Sequence, residues 1–134
     1  MNKMIFIFLF LGVVFTRCSV DRLSMVAFQV QNQYDREVKI TFRDYSEPGK
    51  SIKDTVFAVP AGATEVVYFL DGLVLDKDTY IDTDRLRFST AVQITSDQNV
   101  SSKNLLLLKE WKYNRRNNYE EFYTVTISGS DFNP

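Results

Sequence analysis

The chain has 134 residues, of which 45% are hydrophobic and 25% charged, and this ordinary globular composition excludes a mainly disordered protein. The 16 basic and 17 acidic residues leave a net charge of −1 without a long basic run, so the sequence offers no electrostatic basis for binding nucleic acid. The absence of histidine and the single cysteine exclude a histidine-based catalytic triad, a histidine- or cysteine-rich zinc site and an internal disulfide, and we expect one domain with no cofactor.

The first 17 residues have the pattern of a secretory signal peptide. Lys3 supplies a positive charge, an unbroken apolar stretch occupies residues 4–15, and Arg17 follows it. Secretory apolar segments run to about 7–15 residues, whereas a helix that spans a bilayer needs about 20. We therefore predict that residues 1–17 are a leader. Two alternatives to a leader are an uncleaved anchor and a buried strand. A leader of the ordinary secretory kind is a third possibility, but it would need an Ala-x-Ala-like cleavage site, and none is present.

Cys18, the only cysteine, lies just beyond the apolar stretch. This placement resembles a bacterial lipoprotein signal peptide, although Arg17 stands where that family usually has glycine or alanine. In that family a dedicated peptidase cuts immediately before a cysteine whose sulfur carries a diacylglycerol. The resemblance implies a lipid on Cys18, a tether at residues 18–23 and, because Ser19 rather than aspartate follows, a place in the outer membrane on its periplasmic or outer face. Two or three acyl chains anchor a protein stably, at about 0.8 kcal/mol for each buried methylene.

From Ser24 onward, apolar and polar residues alternate with the period of two that indicates β-strands. The predicted strands lie at residues 26–31, 38–43, 54–59, 64–70, 86–94, 105–108 and 122–127. Polar turn sequences, such as the Pro-Gly pair at 48–49, separate them. The continuous apolar run at 105–108 is also compatible with a helical turn. Elsewhere no segment has a convincing helical period.

About seven strands at this spacing predict a single all-β domain over residues 24–134, an antiparallel β-sandwich of the immunoglobulin-like or transthyretin-like type. Five phenylalanines are predicted to face its core: Phe28, Phe42, Phe57, Phe69 and Phe88. The two cysteines around a tryptophan that mark true immunoglobulin domains are absent, so that likeness concerns architecture alone. A leader that ends in cysteine, followed by a sandwich that opens with residues 28–32 and closes with 123–127, resembles the small uncharacterised lipoproteins of Bacteroidota. That resemblance implies no activity.

The acidic residues indicate neither a metal site nor a catalytic pair. Five aspartates fall in one loop-like stretch, but their spacing fits no EF-hand, so we predict a solvated loop. They are Asp71, Asp76, Asp78, Asp82 and Asp84. Glu120 and Glu121 are adjacent, so in a strand they point to opposite faces and cannot form the carboxylate pair of a glycosidase. Glu110 lies near Lys109 and Lys112, which favours cross-strand ion pairing. The chain is therefore predicted not to be an enzyme.

Aromatic and basic residues cluster in the predicted C-terminal hairpin. They are Trp111, Tyr113, Arg115, Arg116 and Tyr119. Flat aromatic rings beside arginine donors are typical of a face that binds a sugar or a protein. The alternative is that Trp111 fills the core and the tyrosines line its rim.

Two short motifs concern modification. Residues 54–56, Asp-Thr-Val, resemble the acceptor motif of O-glycosylation in Bacteroidota, which implies a modified Thr55. Residues 99–101, Asn-Val-Ser, match the N-glycosylation sequon, which is usually idle in a bacterial lipoprotein.

The sequence predicts a non-catalytic, lipid-anchored envelope protein that acts as a binding or interaction module. Its expected partners are the membrane, through the lipid on Cys18, and an envelope protein or a glycan, with no nucleic acid. One alternative is an assembly subunit that works by strand addition, because an open sandwich offers sheet edges for pairing. The other is a small carboxylate-based hydrolase, which requires a deep pocket lined by at least two acids.

Overall fold

The computed structural model describes residues 24–72 and 77–132. The predicted leader, Cys18 with its tether, and Asp76 lie outside these residues. Within the two ranges the regular structure consists of strands and short 3₁₀ turns, with no α-helix. No helix of this part of the chain has the length and apolarity needed to cross a membrane. The all-β prediction is confirmed.

Ten strands of the described residues form two sheets and one small hairpin. Their bounds are β1 Ser24–Asn32, β2 Val38–Tyr45, β3 Lys53–Val59, β4 Thr64–Gly72, β5 Ile81–Asp82, β6 Arg85–Leu86, β7 Ala91–Ser96, β8 Asn99–Val100, β9 Lys112–Asn117 and β10 Glu120–Ile127. The 3₁₀ turns are Lys77–Thr79, Leu108–Glu110 and Gly129–Phe132. Three strands have only two residues. Seven strands are longer, and six of them overlap predicted strands, whereas β9 was not predicted and the predicted strand at 105–108 is absent.

Sheet 1 has the strand order β4-β1-β10-β9, and sheet 2 has the order β3-β2-β7-β8. Neighbouring strands are antiparallel except β1 and β10, which pair in parallel from Met25 opposite Glu120 to Asn32 opposite Ile127. The short strands β5 and β6 pair with each other, and Arg85 of β6 also forms an isolated bridge with Leu107. The edges of sheet 1 are therefore β4 and β9, and those of sheet 2 are β3 and β8.

Phe28 is the centre of the core between the sheets. It is fully buried, stacks on Tyr123 with ring centroids 4.6 Å apart, and meets Trp111 and Phe88 edge to face at 5.2 and 5.5 Å. Phe88 also packs edge to face on Phe42 of sheet 2, at 5.5 Å. Each such aromatic pair contributes about 0.5–1.5 kcal/mol beyond the area that it buries. Through Phe88, the Phe28 cluster therefore joins the two sheets.

Phe69 does not face the core as predicted but lies on the outer face of sheet 1, where 47% of it is exposed. The pairing of β1 with β4 shifts register between Phe28 and Gln29. At this β-bulge Val67 and Tyr68 are both buried, and the side chains that follow change faces. The prediction for Phe69 was wrong because it assumed unbroken alternation. The other four predicted core phenylalanines lie in the core or pack against it.

The predicted strand at residues 86–94 is broken between β6 and β7. There the Ser89 hydroxyl lies 2.5 Å from the carbonyl oxygen of Arg43 and 2.8 Å from that of Ala91. The Thr90 amide donates to the same Arg43 carbonyl. Serine and threonine often compete in this way with the hydrogen bonds of regular structure, and here their bonds fix a corner instead of a continuous strand.

The apolar run at residues 105–108 is not a strand. Leu105 and Leu106 are both buried, whereas neighbouring residues of a strand point to opposite faces. The Leu106 carbonyl accepts a hydrogen bond from the Leu86 amide, and a 3₁₀ turn begins at Leu108. The helical-turn alternative is therefore correct for the end of this run.

A buried asparagine fastens the end of β1 to the end of β3. Asn32 is fully buried. Its Nδ2 donates to the carbonyl oxygens of Arg36 at 2.7 Å and Val59 at 2.9 Å, and its Oδ1 accepts from the Tyr34 amide at 2.9 Å. A buried amide stabilises a fold only when its polar atoms are paired, and this one meets that condition.

Candidate functional site

Trp111 of the predicted binding face lies in the core. Only 6% of it is exposed, its Nε1 donates to the Leu105 carbonyl oxygen at 2.8 Å, and its ring packs edge-on against Phe28. An indole whose ring is covered and whose N–H is paired has no surface left for a ligand. Trp111 therefore has the core position that the alternative interpretation gave it.

The other four residues of that face lie in the hairpin of β9 and β10. Tyr113 is exposed, and its hydroxyl donates to Glu121 at 3.1 Å. Desolvation, followed by the Glu121 carboxylate, raises the pKa of Tyr113. Arg115 folds back and donates to two carbonyl oxygens of the turn, while Arg116 lies 3.7 Å from a carboxylate four residues on. Tyr119 is half-buried. Both guanidinium groups thus have partners within their own hairpin.

A groove that the sequence analysis missed lies along β3 and β4, edge strands of opposite sheets. We call it the edge groove, and it consists of two recesses of about 210 and 300 Å³. The lining of the first includes Tyr45, Glu47, Lys50, Lys53, Thr55 and Phe57. The second is lined by Glu47, Pro48, Lys50, Phe69, Leu70 and Asp71. Glu47 and Lys50 line both recesses and form an ion pair.

Tyr45, Glu47 and Lys50 form a chain of bonds from the core to the surface. The Tyr45 hydroxyl lies 2.5 Å from the Val67 carbonyl oxygen and 3.0 Å from Oε1 of Glu47. Burial, and after it the hydrogen bond with Glu47, raises the pKa of Tyr45, so the phenol stays protonated and donates. The Lys50 ammonium lowers the pKa of Glu47, with help from the Tyr45 hydroxyl. Glu47 is therefore an anion at neutral pH.

The second recess is lined by two acids, Glu47 and Asp71, and Glu47 is a held carboxylate rather than a proton donor. A glycosidase needs one carboxyl group whose pKa is raised, so that it can protonate the leaving group. Glu47 has the opposite shift. Pockets for drug-sized ligands usually measure about 300–1,000 Å³, so the two recesses are at or below that range. Their size and their mixture of charged and aromatic lining suit side chains of a partner or single sugar units.

The two edge strands of sheet 1 differ in how readily another strand could pair with them. All six residues of β9 are exposed, and Lys112, Arg115 and Arg116 place three cations on it. Charges of this kind protect an edge from pairing. β4 has nine residues and carries fewer charges, Glu65 and Asp71, with Val66 and Phe69 exposed between them, and beyond it sheet 1 has no further strand among the described residues. β4 is therefore the edge of sheet 1 more open to an added strand.

Sequence reasoning missed the edge groove because its walls come from separate parts of the chain. Residues 46–50 indicate only a polar turn. One local signal was present. Tyr45 lies three positions after Phe42, whereas strict alternation would place the next inward residue two positions after it. A bulge between Phe42 and Tyr45, where Asp44 has a φ of 48°, turns Tyr45 inward. Aspartate tolerates this left-handed region better than most residues.

The structure describes four of the five aspartates of the acidic stretch, Asp71, Asp78, Asp82 and Asp84. In the ranges that the structure covers, no three potential metal ligands lie close enough to hold an ion. Asp82 is 3.6 Å from Arg87, and Asp71 lines the second recess. Asp82 therefore belongs to an ion pair, and Asp71 belongs to the edge groove.

The two modification motifs lie on different edge strands. Thr55 is half-buried on β3 and lines the first recess of the edge groove. Asn99 is exposed on β8. Both modifications stay predictions.

The sequence matches no known family model, no curated protein and no solved structure at a significant level. Its function is therefore argued from the residues and their geometry.

Proposed function

We propose that this chain is a non-catalytic binding module of the cell envelope, anchored by a lipid on Cys18, and that its edge groove binds an envelope protein or a glycan. The observation that carries the binding role is the bonded chain of Tyr45, Glu47 and Lys50. It begins at the buried phenol of Tyr45 and ends at the ammonium of Lys50, whose side chain is 71% exposed. This bonded chain lies beside the edge strands β3 and β4. Polar groups fixed in this way are preorganised, which lowers the entropy cost of binding.

The charge state of Glu47 supports a role without catalysis. Its pKa is lowered by the Lys50 ammonium, so it cannot act as the protonated acid of a hydrolase at neutral pH. A fixed carboxylate between donors instead suits recognition of hydroxyl, amide or ammonium groups. These are the groups that a glycan or a protein presents.

The anchor is tested by the mass of the N-terminal peptide from the membrane fraction. We expect a diacylglycerol on Cys18, and we expect Cys18→Ser to abolish metabolic labelling with a fatty acid. A free thiol at Cys18 in the native protein would overturn the anchor.

The binding site is tested with a photo-crosslinking residue placed in the full chain in its native membrane. We expect a discrete adduct from position 53, in the first recess, and none from position 39. Lys39 is a matched control because it is an exposed lysine on β2, at the outer face of sheet 2. Glu47→Gln should weaken the adduct, since it removes the ion pair with Lys50. Equal adducts at both positions, or none at position 53, would refute the proposed site.

A second candidate function is assembly by strand addition, which is favoured by the position of β4 at the edge of sheet 1 among the described residues. It predicts oligomers of the detergent-solubilised full chain on gel filtration. Val66→Lys places a charge on that edge and should disperse them. A monomer at all concentrations would eliminate this candidate and leave the edge groove as the binding site.

A further inference from the structure

The outer face of sheet 1 carries an apolar patch where a sandwich normally presents polar residues to water. We call it the outer patch, and it consists of Met25, Ala27, Val66, Phe69 and Phe122. Phe69 on β4 and Phe122 on β10 both lie opposite Ala27 of β1. Ala27 is only 2% exposed, although it belongs to the outward-facing residues of β1. Val66 and Phe69 are each 47% exposed.

The outer face changes character along β1. Beyond Ala27 its outward residues are Gln29 and Gln31, which lie opposite Thr124 and Thr126 of β10. Nε2 of Gln29 donates to the Thr124 hydroxyl at 2.8 Å, a polar cross-strand pair that suits contact with water. The residues of the outer patch therefore lie in the half nearest to the start of β1, except Val66, which lies opposite Gln29 in the far half.

The start of β1 is also where the chain outside the described residues arrives. Ser24 is the first described residue, and 23 residues precede it. Cys18 is six positions upstream, a span of at most about 20 Å for an extended chain. Ala27 lies three residues into β1, which adds about 10 Å at the rise of a strand. A lipid on Cys18 thus keeps the outer patch within reach of the membrane surface.

We propose that the outer patch lies on the lipid surface to which Cys18 is anchored, with Phe69 and Phe122 in the membrane interface. Because Phe69 also lines the second recess of the edge groove, only the first recess, which Phe69 does not line, is then left to a partner. The proposal rests on the proposed lipid anchor. The anchor supplies the affinity, so the patch has only to orient a domain that is already held at the surface. A small number of apolar side chains is enough for that purpose, because burying each one contributes independently to interfacial binding.

The size and charge of the patch favour lipid over a second copy of the chain. A stable protein–protein interface uses roughly 20–30 residues on each side, and the outer patch has five. Asp71 and Glu120 lie beside Met25, while Lys112 lies on the same face two rows away, opposite Thr124. With both signs present, the surface does not select anionic headgroups. Binding to a zwitterionic lipid surface is therefore expected.

The experiment compares two tryptophan variants of the full lipidated chain in phosphatidylcholine vesicles with brominated acyl chains. Phe69→Trp places an indole in the outer patch, and Val56→Trp places one on the outer face of sheet 2, where Val56 is 58% exposed on β3. Trp111 gives the same buried background in both. We expect bromolipid to remove the added emission of Phe69→Trp and to leave that of Val56→Trp unchanged.

Val66→Trp reports on the same patch if Phe69→Trp does not fold, and the mass of Cys18 is measured on each sample. A lipidated chain whose patch indole is not quenched, or is quenched no more than the Val56→Trp indole, would overturn the orientation while leaving the anchor intact. A chain without lipid on Cys18 would overturn the anchor, and the orientation with it. Shielding of the patch indole that depends on protein concentration and not on bromine would assign the patch to a second copy.

Discussion

The two outer faces of the sandwich follow different rules. On sheet 2, β2 presents Lys39, Thr41 and Arg43 outward, and Arg43 pairs with Asp54 on β3. On sheet 1, the half near the start of β1 presents Phe69 and Phe122 instead. Antiparallel sheets with one solvated face usually alternate apolar-in and polar-out, as β2 does, although Val56 on β3 also points outward and is 58% exposed. In sheet 1 the departure is a group of neighbouring residues, with Phe69 and Phe122 both opposite Ala27, and the proposed membrane contact rests on it.

Both outer faces depend on one shared core, and the largest expected effect comes from breaking it. Phe28→Ala removes a fully buried ring that contacts Tyr123, Trp111 and Phe88. We expect a loss of about 3–5 kcal/mol in the free energy of unfolding, from lost burial and the cavity left behind. Urea unfolding of the full chain, followed by Trp111 fluorescence, measures it. A loss equal to that of the milder control Phe28→Leu would contradict the central place of the ring.

A smaller loss is expected from the amide that fastens β1 of sheet 1 to β3 of sheet 2. Asn32→Ala leaves the Val59 carbonyl without its partner in a buried setting. We expect about 1–3 kcal/mol, the usual cost of an unpaired buried polar group. The same unfolding experiment tests it, and hydrogen exchange should show faster opening at residues 59–63. An unchanged midpoint of unfolding would show that the bonds of Asn32 are dispensable.

The inner faces, unlike the outer ones, hold phenols that make stability fall at alkaline pH. Burial raises the pKa of Tyr45, Tyr68, Tyr80 and Tyr123. The unfolded chain loses these protons first, at about pH 10, so stability is complete below that pH and decreases above it. Tyr45→Phe should make this decrease less steep. Parallel pH profiles of urea unfolding for the two chains would disprove a role for the Tyr45 proton.

The smallest expected changes in stability come from substitutions on the outer faces. Their dependence on salt should differ between sheet 2 and sheet 1. Arg43→Ala removes an exposed ion pair with Asp54, so its slight loss of stability should disappear at high ionic strength. Phe69→Thr changes an exposed ring and should alter stability by less than about 0.5 kcal/mol, independently of salt. Unfolding midpoints at low and high salt measure both. A salt-dependent effect of Phe69→Thr would remove the contrast between the faces.

The alternation of apolar and polar residues predicts most of the fold, because a strand with one buried face has little freedom in its pattern. Val26, Phe28 and Val30 all lie inward as that pattern requires. The exceptions arise where long-range contacts override it, as at the bulge that exposes Phe69. A sequence read locally does not contain the partner strand, so it cannot show where the register shifts.

The candidate sites were harder to predict than the strands. The cluster at Trp111 and Tyr113 combined a core residue with a surface one, since aromatic residues serve both purposes equally well in a sequence. At the edge groove, the Tyr45 hydroxyl is hydrogen-bonded to the Val67 carbonyl oxygen, 22 positions along the chain. No local sequence pattern predicts a bond between residues so far apart. The only local signal was the spacing of three between Phe42 and Tyr45. It can be interpreted only when the buried face of β2 is already known.

The parallel pairing of β1 with β10 has a consequence for the order in which the molecule is completed. Gln29 and Thr124 bond across 95 positions of the chain, so the first strand obtains this neighbour only when the last strand has been synthesised. Closing so long a loop is slow, and the half-built sheet 1 must wait with β1 open on that side. Loss of β10 would therefore leave β1, at the beginning of the domain, without its parallel neighbour from Met25 to Asn32.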